Sequence, residues 1–455
     1  MSQTLAQALK DHQVAHEALD ESYGPMLKMF RELIGVFPNC NPVLEIWPPG
    51  FRTFNLLVPA MLNLPASLLG QGAPKDLVGM AMYASSNAAQ CPYCTAHHCS
   101  FAIRRGADPD AVLGQRSETE AAVVELAEVM ALVPSEVTPE IIADAESHLS
   151  EEDVEWVALA VSLGGFLNKF MDSMGIPLEE EAVAEVQALL RPSGWDPGNH
   201  MWGAELDSDL EQEGRTLASV HQKWTEVDHS SEIPVDGLGT YLRLFRQGPG
   251  AARIEKGWTK GVSGRIGPAL LMLEEEVGYG FPVLGTIASQ KVVKTIATVL
   301  RDNLDEDQSR IGLEAKLLAG LVYAGEAKSD LLTSELTLLI DLLVPGISPG
   351  KVTAVSRFAS APVQEAVIPA GLGSKESAAL MLAKAAAPSP SEVTEITVAM
   401  VVSVLSPAQI VEVNVWLSIL QMLNRWYSYS EVKHLIDEDD QEDQELANLA
   451  VAKLT

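Results

Sequence analysis

Pro134-Ser135-Glu136-Val137-Thr138 recurs letter for letter as Pro390-Ser391-Glu392-Val393-Thr394, at an offset of 256 residues. Working outward from this pentapeptide, residues 118–170 and 374–426 align without a gap, and 18 of the 53 positions are identical. Leu149-Ser150 returns as Leu405-Ser406, and Asn168 as Asn424. A weaker match pairs Gly24-Pro25-Met26-Leu27 with Gly267-Pro268-Ala269-Leu270. Self-similarity at one fixed offset over this length reads as an internal duplication.

The repeated unit reads as helices. Ser117 stands three residues before Glu120, a capping-box pattern ahead of the apolar run Ala121 to Val133. Thr138 followed by Pro139 predicts an N-cap with proline at the first helical position. Ser150 opens another helix, as does its counterpart Ser406 before Pro407. In the first of these, Val154, Val157, Leu159, Val161 and Leu163 cover so wide a face that the helix is expected at the centre of its bundle. No strand-and-turn alternation stands out, and a chain that is 47% hydrophobic but only 6% aromatic favours helices over sheets. The expected fold class is all-α, with two helical-bundle repeats over 1–191 and 256–455. A stretch rich in Gly, Pro and charge over about 192–255 reads as the linker region.

The formal charge of −31, from 62 acids against 31 bases, disfavours nucleic acid and anionic membrane as partners. Acids concentrate in Asp437-Glu438-Asp439-Asp440-Gln441-Glu442-Asp443, which reads as a solvated tail. No basic start followed by an apolar run opens the chain, and the apolar stretch Val398 to Leu405 is too short to span a bilayer. A cytoplasmic protein is expected. Four cysteines, three of them between positions 91 and 99, make no disulfide framework for 455 residues. They point to a site.

That site is Cys91-Pro92-Tyr93-Cys94 with His98, in a helix running to Arg104-Arg105-Gly106. Pro92 suits the first helical position, so Cys91 is the expected N-cap, and Gly106 suits the C-terminal cap. Cys94 then falls in the first turn, where partnerless backbone N–H groups favour a thiolate, and a lowered pKa is expected there. Cys91 is three residues away, and His98 is four residues on, on the same helical face. A Cys94 thiolate can attack a peroxide oxygen, the resulting sulfenic acid can condense with Cys91, and a reductant can reopen the disulfide. His98 can carry the proton. Tyr93 and His97 are candidates for the substrate pocket: Tyr93 can donate a hydrogen bond or cover the site, and His97 reads first as a solvent-facing or packing neighbour. Cys99 reads as core. Cys40 stands in a loop-like context without an assigned role. Trp47, Phe51 and Phe54 read as core before pocket.

Ser85-Ser86-Asn87-x3-Cys91-Pro92-Tyr93-Cys94-x3-His98 resembles the motif of the AhpD-like, carboxymuconolactone decarboxylase superfamily, which is all-helical and includes alkylhydroperoxidases. The resemblance implies Cys94 as peroxidatic cysteine, Cys91 as resolving cysteine and His98 as part of a proton relay. It also implies a hydroperoxide or other small-molecule substrate, a thiol or dithiol reductant, a homo-oligomer, and no cofactor or metal. The family unit corresponds to about half of this chain. Two features depart from the pattern. The family's relay glutamate falls here on Gly79, with Asp76 one turn earlier as a substitute. In the second copy, Leu331, Ser334 and Leu338 stand opposite Cys91, Cys94 and His98, and residues 100–455 contain no cysteine. The second copy is therefore expected to pack against the first or shape its entrance.

Other chemistries compete. Buried structural thiols are one, since free cysteine often sits in cores. A zinc site is another, but it needs ligands from two separated knuckles, and Cys40 is the only distant cysteine. A helical binding or assembly protein without efficient catalysis, and an acid–base enzyme using His98 on a lactone or related acid, complete the set.

Overall fold

Helices account for every regular element among the residues described in this computed structural model, which are 3–201, 233–362 and 366–452, with 437–452 described as backbone alone. No strand occurs among them, and the fold is all-α. The first half comprises α1 (His16–Ile34), α2 (Pro48–Met61), α3 (Lys75–Ala88), α4 (Pro92–Arg104), α5 (Glu118–Ala131), α6 (Pro139–His148), α7 (Glu151–Met174) and α8 (Glu180–Leu190). The rest comprises α9 (Leu238–Trp258), α10 (Ile266–Val277), α11 (Gln290–Leu304), α12 (Leu313–Ala327), α13 (Asp330–Leu343), α14 (Pro349–Ser360), α15 (Ser374–Ala386), α16 (Glu395–Val404) and α17 (Pro407–Ala452). Of the Gly- and Pro-rich stretch, 202–232 lies outside the described residues. The acidic stretch 437–443 continues α17 in backbone, and its side chains lie outside the description as well.

The starts of these helices follow local chemistry. Ser117 and Glu120 make both bonds of a capping box, at 3.3 and 2.7 Å. Ser150 Oγ accepts from the Asp153 N–H at 3.2 Å, and Ser406 and Gln409 form the same kind of reciprocal pair at 2.9 and 3.4 Å. Thr138 occupies its N-cap with Pro139 behind it, without a side-chain bond to the backbone. Gly106, at φ +103°, ends the α4 turn as expected.

Helix α7 is apolar nearly all round. It is long and apolar enough to cross a membrane by length and composition, but 89% of its apolar window is buried inside the protein, as in the core helix of a bundle. Its most extensive contact is with α17. Across this contact, two aligned positions behave alike. Lys169 of α7 donates to the carbonyls of Ala386, Ala387 and Pro388 at 2.8, 2.8 and 2.6 Å. Arg425 of α17 stands 256 residues further on and donates to the Val161 carbonyl at 2.9 Å and the Ala131 carbonyl at 3.4 Å. Ala131 and Ala387 are themselves aligned. Each cation therefore meets the C-terminal turn of a helix in the other half, where carbonyls lack helical partners and the dipole is negative. The turns that follow match too, with Glu136 N–H donating to Val129 O at 3.2 Å and Glu392 N–H to Ala385 O at 2.7 Å.

Helices α3 and α4 cross in near-backbone contact, and this crossing positions the thiol site. A Cβ at Gly79 would stand 2.6 Å from Ala102 Cα and 3.1 Å from its Cβ. Alanine in a helix gains about 1 kcal/mol over glycine, whereas overpacking against backbone costs about 1–3 kcal/mol. Gly79→Ala is expected to lower the urea midpoint of unfolding, with the clash outweighing the propensity gain; an unchanged or raised midpoint contradicts the tight crossing.

Candidate active site

The turn from α3 into α4 is tight, with Gln90 at φ +52° and the Cys91 N–H donating to Ser86 O at 3.1 Å. Cys91 is the N-cap of α4, and Pro92 holds the first helical position. The two cysteines are free and buried, at 0% and 2% exposure. Here the structure refines the expected electrostatics, because the Cys94 N–H donates to Cys91 Sγ at 3.4 Å. That helix-start donor serves the capping sulfur and not Cys94. Burial, reinforced by the neighbouring Cys94 sulfur, nevertheless pushes the Cys91 thiol well above its ordinary range. Cys91 therefore keeps its proton.

His98 is buried beside the pair. Its Nδ1 lies 2.7 Å from Ser86 Oγ and 3.1 Å from the Met82 carbonyl. A carbonyl only accepts, so Nδ1 carries the hydrogen and Nε2 keeps the lone pair. Burial, with His97 adding to it, pushes the His98 pKa down to about 3, and the ring is neutral. Asn168 Nδ2 donates to Ser86 Oγ at 2.8 Å, extending the chain of bonds into α7.

The expectation for His97 needs correcting. It is 5% exposed, not solvent-facing, and its Nε2 lies 2.7 Å from Glu179 Oε2. The same carboxylate accepts from Tyr93 Oη at 2.9 Å and from the Asn39 N–H at 2.5 Å. Burial and Glu179 push the Tyr93 phenol well up, so it stays a donor. His97 Nδ1 is buried without a hydrogen-bond partner. The acid that Gly79 does not supply thus enters from the N-cap of α8, and it engages His97 rather than His98. Asp76 does not replace it: the hydrogen-bond partners of His98 are Ser86 and Met82. No sequence signal separates Glu179 from Glu180 and Glu181 beside it.

Cys94, Tyr93, His97 and His98 all border one cavity of about 60 Å³ whose remaining wall is apolar, including Phe30, Phe54, Met82 and Met171. Phe54 therefore belongs to the pocket, while Trp47 and Phe51 are core, as expected. Cys99 is core, its thiol pushed up to about 12 by burial. Cys40 is not in a loop; it opens the short helix Cys40–Leu44, fully buried and within electrostatic range of Glu179 and Cys94. Arg104 pairs with Glu185, and Arg105 with Asp236, fastening the end of α4 to α8 and to the approach to α9. No group of three or more His, Cys, Asp or Glu side chains placed to hold a metal ion occurs among the described residues.

In the second half, Ser334 and Leu338 are exposed on α13, and Ser334 bonds its own helix at Asp330 O. The second half reaches the thiol site elsewhere, through Arg425, whose Nη2 donates to Asn168 Oδ1 at 3.1 Å.

No protein-family model and no curated protein matches the chain. A solved structure, the apo form of the debrominase Bmp8, is similar over 39% of this chain and 95% of its own, at 20% identity and a TM-score of 0.35.

The neutral His98 has a consequence for stability. Between about pH 6.5 and 3 the unfolded chain binds a proton at this ring that the folded chain refuses, so stability is intact above 6.5 and falls as the pH drops toward 3. Wild-type protein is expected to lose more melting temperature than His98→Gln when moved from about pH 7 to about pH 5. Equal losses contradict a buried neutral imidazole.

Proposed function

We propose that this protein is a thiol-dependent peroxidase or disulfide oxidoreductase of alkylhydroperoxidase type, working through a Cys91–Cys94 dithiol cycle. The observation that carries the reading is the pair itself: two free, buried cysteines at the head of α4, with the Cys94 backbone N–H donating to Cys91 Sγ and Cys94 bordering an apolar cavity beside a neutral imidazole. His98 takes the Cys94 proton at Nε2. The sulfur attacks the outer oxygen of a hydroperoxide, the O–O bond breaks, and the leaving alkoxide takes a proton to become an alcohol. Cys91 then attacks the Cys94 sulfenic acid, forming the disulfide and releasing water. A dithiol reductant restores both thiols and is itself oxidised. Because burial makes His98 a weak base, its uptake of the Cys94 proton is concerted with the attack of the sulfur and the ring passes the proton on to the leaving alkoxide. A reducing cytoplasm supplies the conditions for the last step, and an assembly of several copies fits the family resemblance.

Replacing Cys94 with serine is expected to abolish hydroperoxide turnover, a loss of at least about a thousandfold. Replacing Cys91 with serine is expected to leave one round of reaction and a Cys94 that over-oxidises or forms mixed disulfides. Full turnover by the Cys94→Ser protein contradicts the proposal. The Glu179–His97 pair, with Nδ1 unpartnered at the cavity, favours a second reading: acid–base chemistry on a small acid or lactone. That activity survives loss of both cysteines and is lost in Glu179→Gln.

A further inference from the structure

We propose that Arg425, contributed by the second half of the chain, is a positioning residue for the thiol site: it supplies buried positive charge near the Cys91–Cys94 pair and fixes the orientation of Asn168, which holds Ser86 against His98. The proposal rests on the dithiol reading of that pair.

The guanidinium of Arg425 is fully buried, at 0% exposure. Its acceptors are the Val161 and Ala131 carbonyls and Asn168 Oδ1, its Nε has no partner, and no described carboxylate forms an ion pair with it. An unpaired cation in the interior is costly unless something nearby gains from it. The chain makes room for this one. A Cβ at Gly165 would stand 2.9 Å from Arg425 Cδ, and one at Gly164 would stand 3.3 Å from Nη1 and 3.0 Å from Ser85 Oγ. The Gly164-Gly165 step in α7 is therefore the groove in which the side chain lies, and Ser85 places it beside the segment that ends at Cys91.

Two consequences follow. Arginine has no acceptor, so Asn168 must turn its oxygen to Arg425 and its amide nitrogen to Ser86. Ser86 Oγ then accepts from Asn168 and is held against His98 Nδ1, while the Met82 carbonyl requires the hydrogen on Nδ1 and leaves the lone pair on Nε2. The second consequence is electrostatic. Both thiols lie within range of the guanidinium, whose own pKa burial holds down to about 10. A buried sulfur ionises only where a positive charge offsets its lost hydration. The same charge disfavours an imidazolium at His98. Of the surrounding groups, Asp172 opposes this field at Cys91, whereas Glu326 pairs with Lys384 at 3.1 Å and the Tyr323 phenol donates to Gln421 at 2.7 Å. Lys169, whose pKa burial lowers to about 7, adds a partial positive charge near neutral pH, directed at carbonyls of the other half. On the far side of Cys94, Glu179 is engaged by His97 and Tyr93.

The test is a pH titration of thiolate ultraviolet absorbance in reduced, full-length protein, with Cys94→Ser as the blank that assigns the signal. Arg425→Met is expected to raise the ionisation midpoint so that the thiolate fraction near neutral pH falls about tenfold. Arg425→Lys, which keeps the charge, is expected to stay close to wild type. A folded Arg425→Met protein with the wild-type midpoint overturns the proposal. If Arg425→Met does not fold, Arg425→Gln takes its place against Arg425→Lys: a raised midpoint in the first alone supports the role, and equal midpoints overturn it. A wild-type signal that persists in Cys94→Ser is the separate failure of the dithiol reading.

Discussion

The contact between α7 and α17 is the constraint on which the rest of the molecule depends. Helix α7 is apolar on almost every face, so it can exist in water only if other helices cover it on all sides. Helices α3 and α5 cover part of it, and α17 covers most of the remainder. Two cations, Lys169 and Arg425, cross that contact and end on carbonyls of the opposite half. Neither half is complete alone: the first lacks a cover for α7, and its α5 carbonyl end lacks the donor that Arg425 provides.

The thiol site borders the same helix, where Asn168 of α7 is bonded both to Arg425 and to Ser86. Burial determines its chemistry. Water is nearly excluded from Cys91, Cys94 and both histidines, so each charge that forms there must be matched by a fixed protein group. Cys91 stays a thiol and His98 stays neutral for this reason. The bonds that hold the site are directional, with Met82 and Ser86 fixing one face of His98 and Glu179 fixing His97 and Tyr93. Such a site is organised before any substrate arrives. The cavity beside it is small, about 60 Å³, and walled mainly by apolar side chains.

What the sequence made legible was local. The repeated pentapeptide, the serine caps, Pro92 and Gly106 each act within a few residues, and they placed the helices correctly. The Cys-x2-Cys-x3-His spacing did the same for the thiols and His98. What it hid was distant. Glu179 joins Tyr93 and His97 across more than eighty positions, and Arg425 arrives from another half of the chain; no spacing rule encodes either. Gly79 looked like the loss of an acid, whereas in the fold it is the point where two helices touch through backbone. The cap bond from the Cys94 N–H to Cys91 Sγ follows from Cys91 as the N-cap, yet it takes up the donor that the sequence reading assigned to the Cys94 sulfur.

The most direct measurement of the central claim is mass spectrometry of wild-type protein after mild peroxide treatment, with alkylation of the remaining thiols following unfolding. The account predicts a peptide lighter by two hydrogens, with Cys91 and Cys94 linked to each other and Cys40 and Cys99 still alkylated. Cys91 and Cys94 recovered as free thiols, or linked to Cys40 or Cys99 instead, would contradict it.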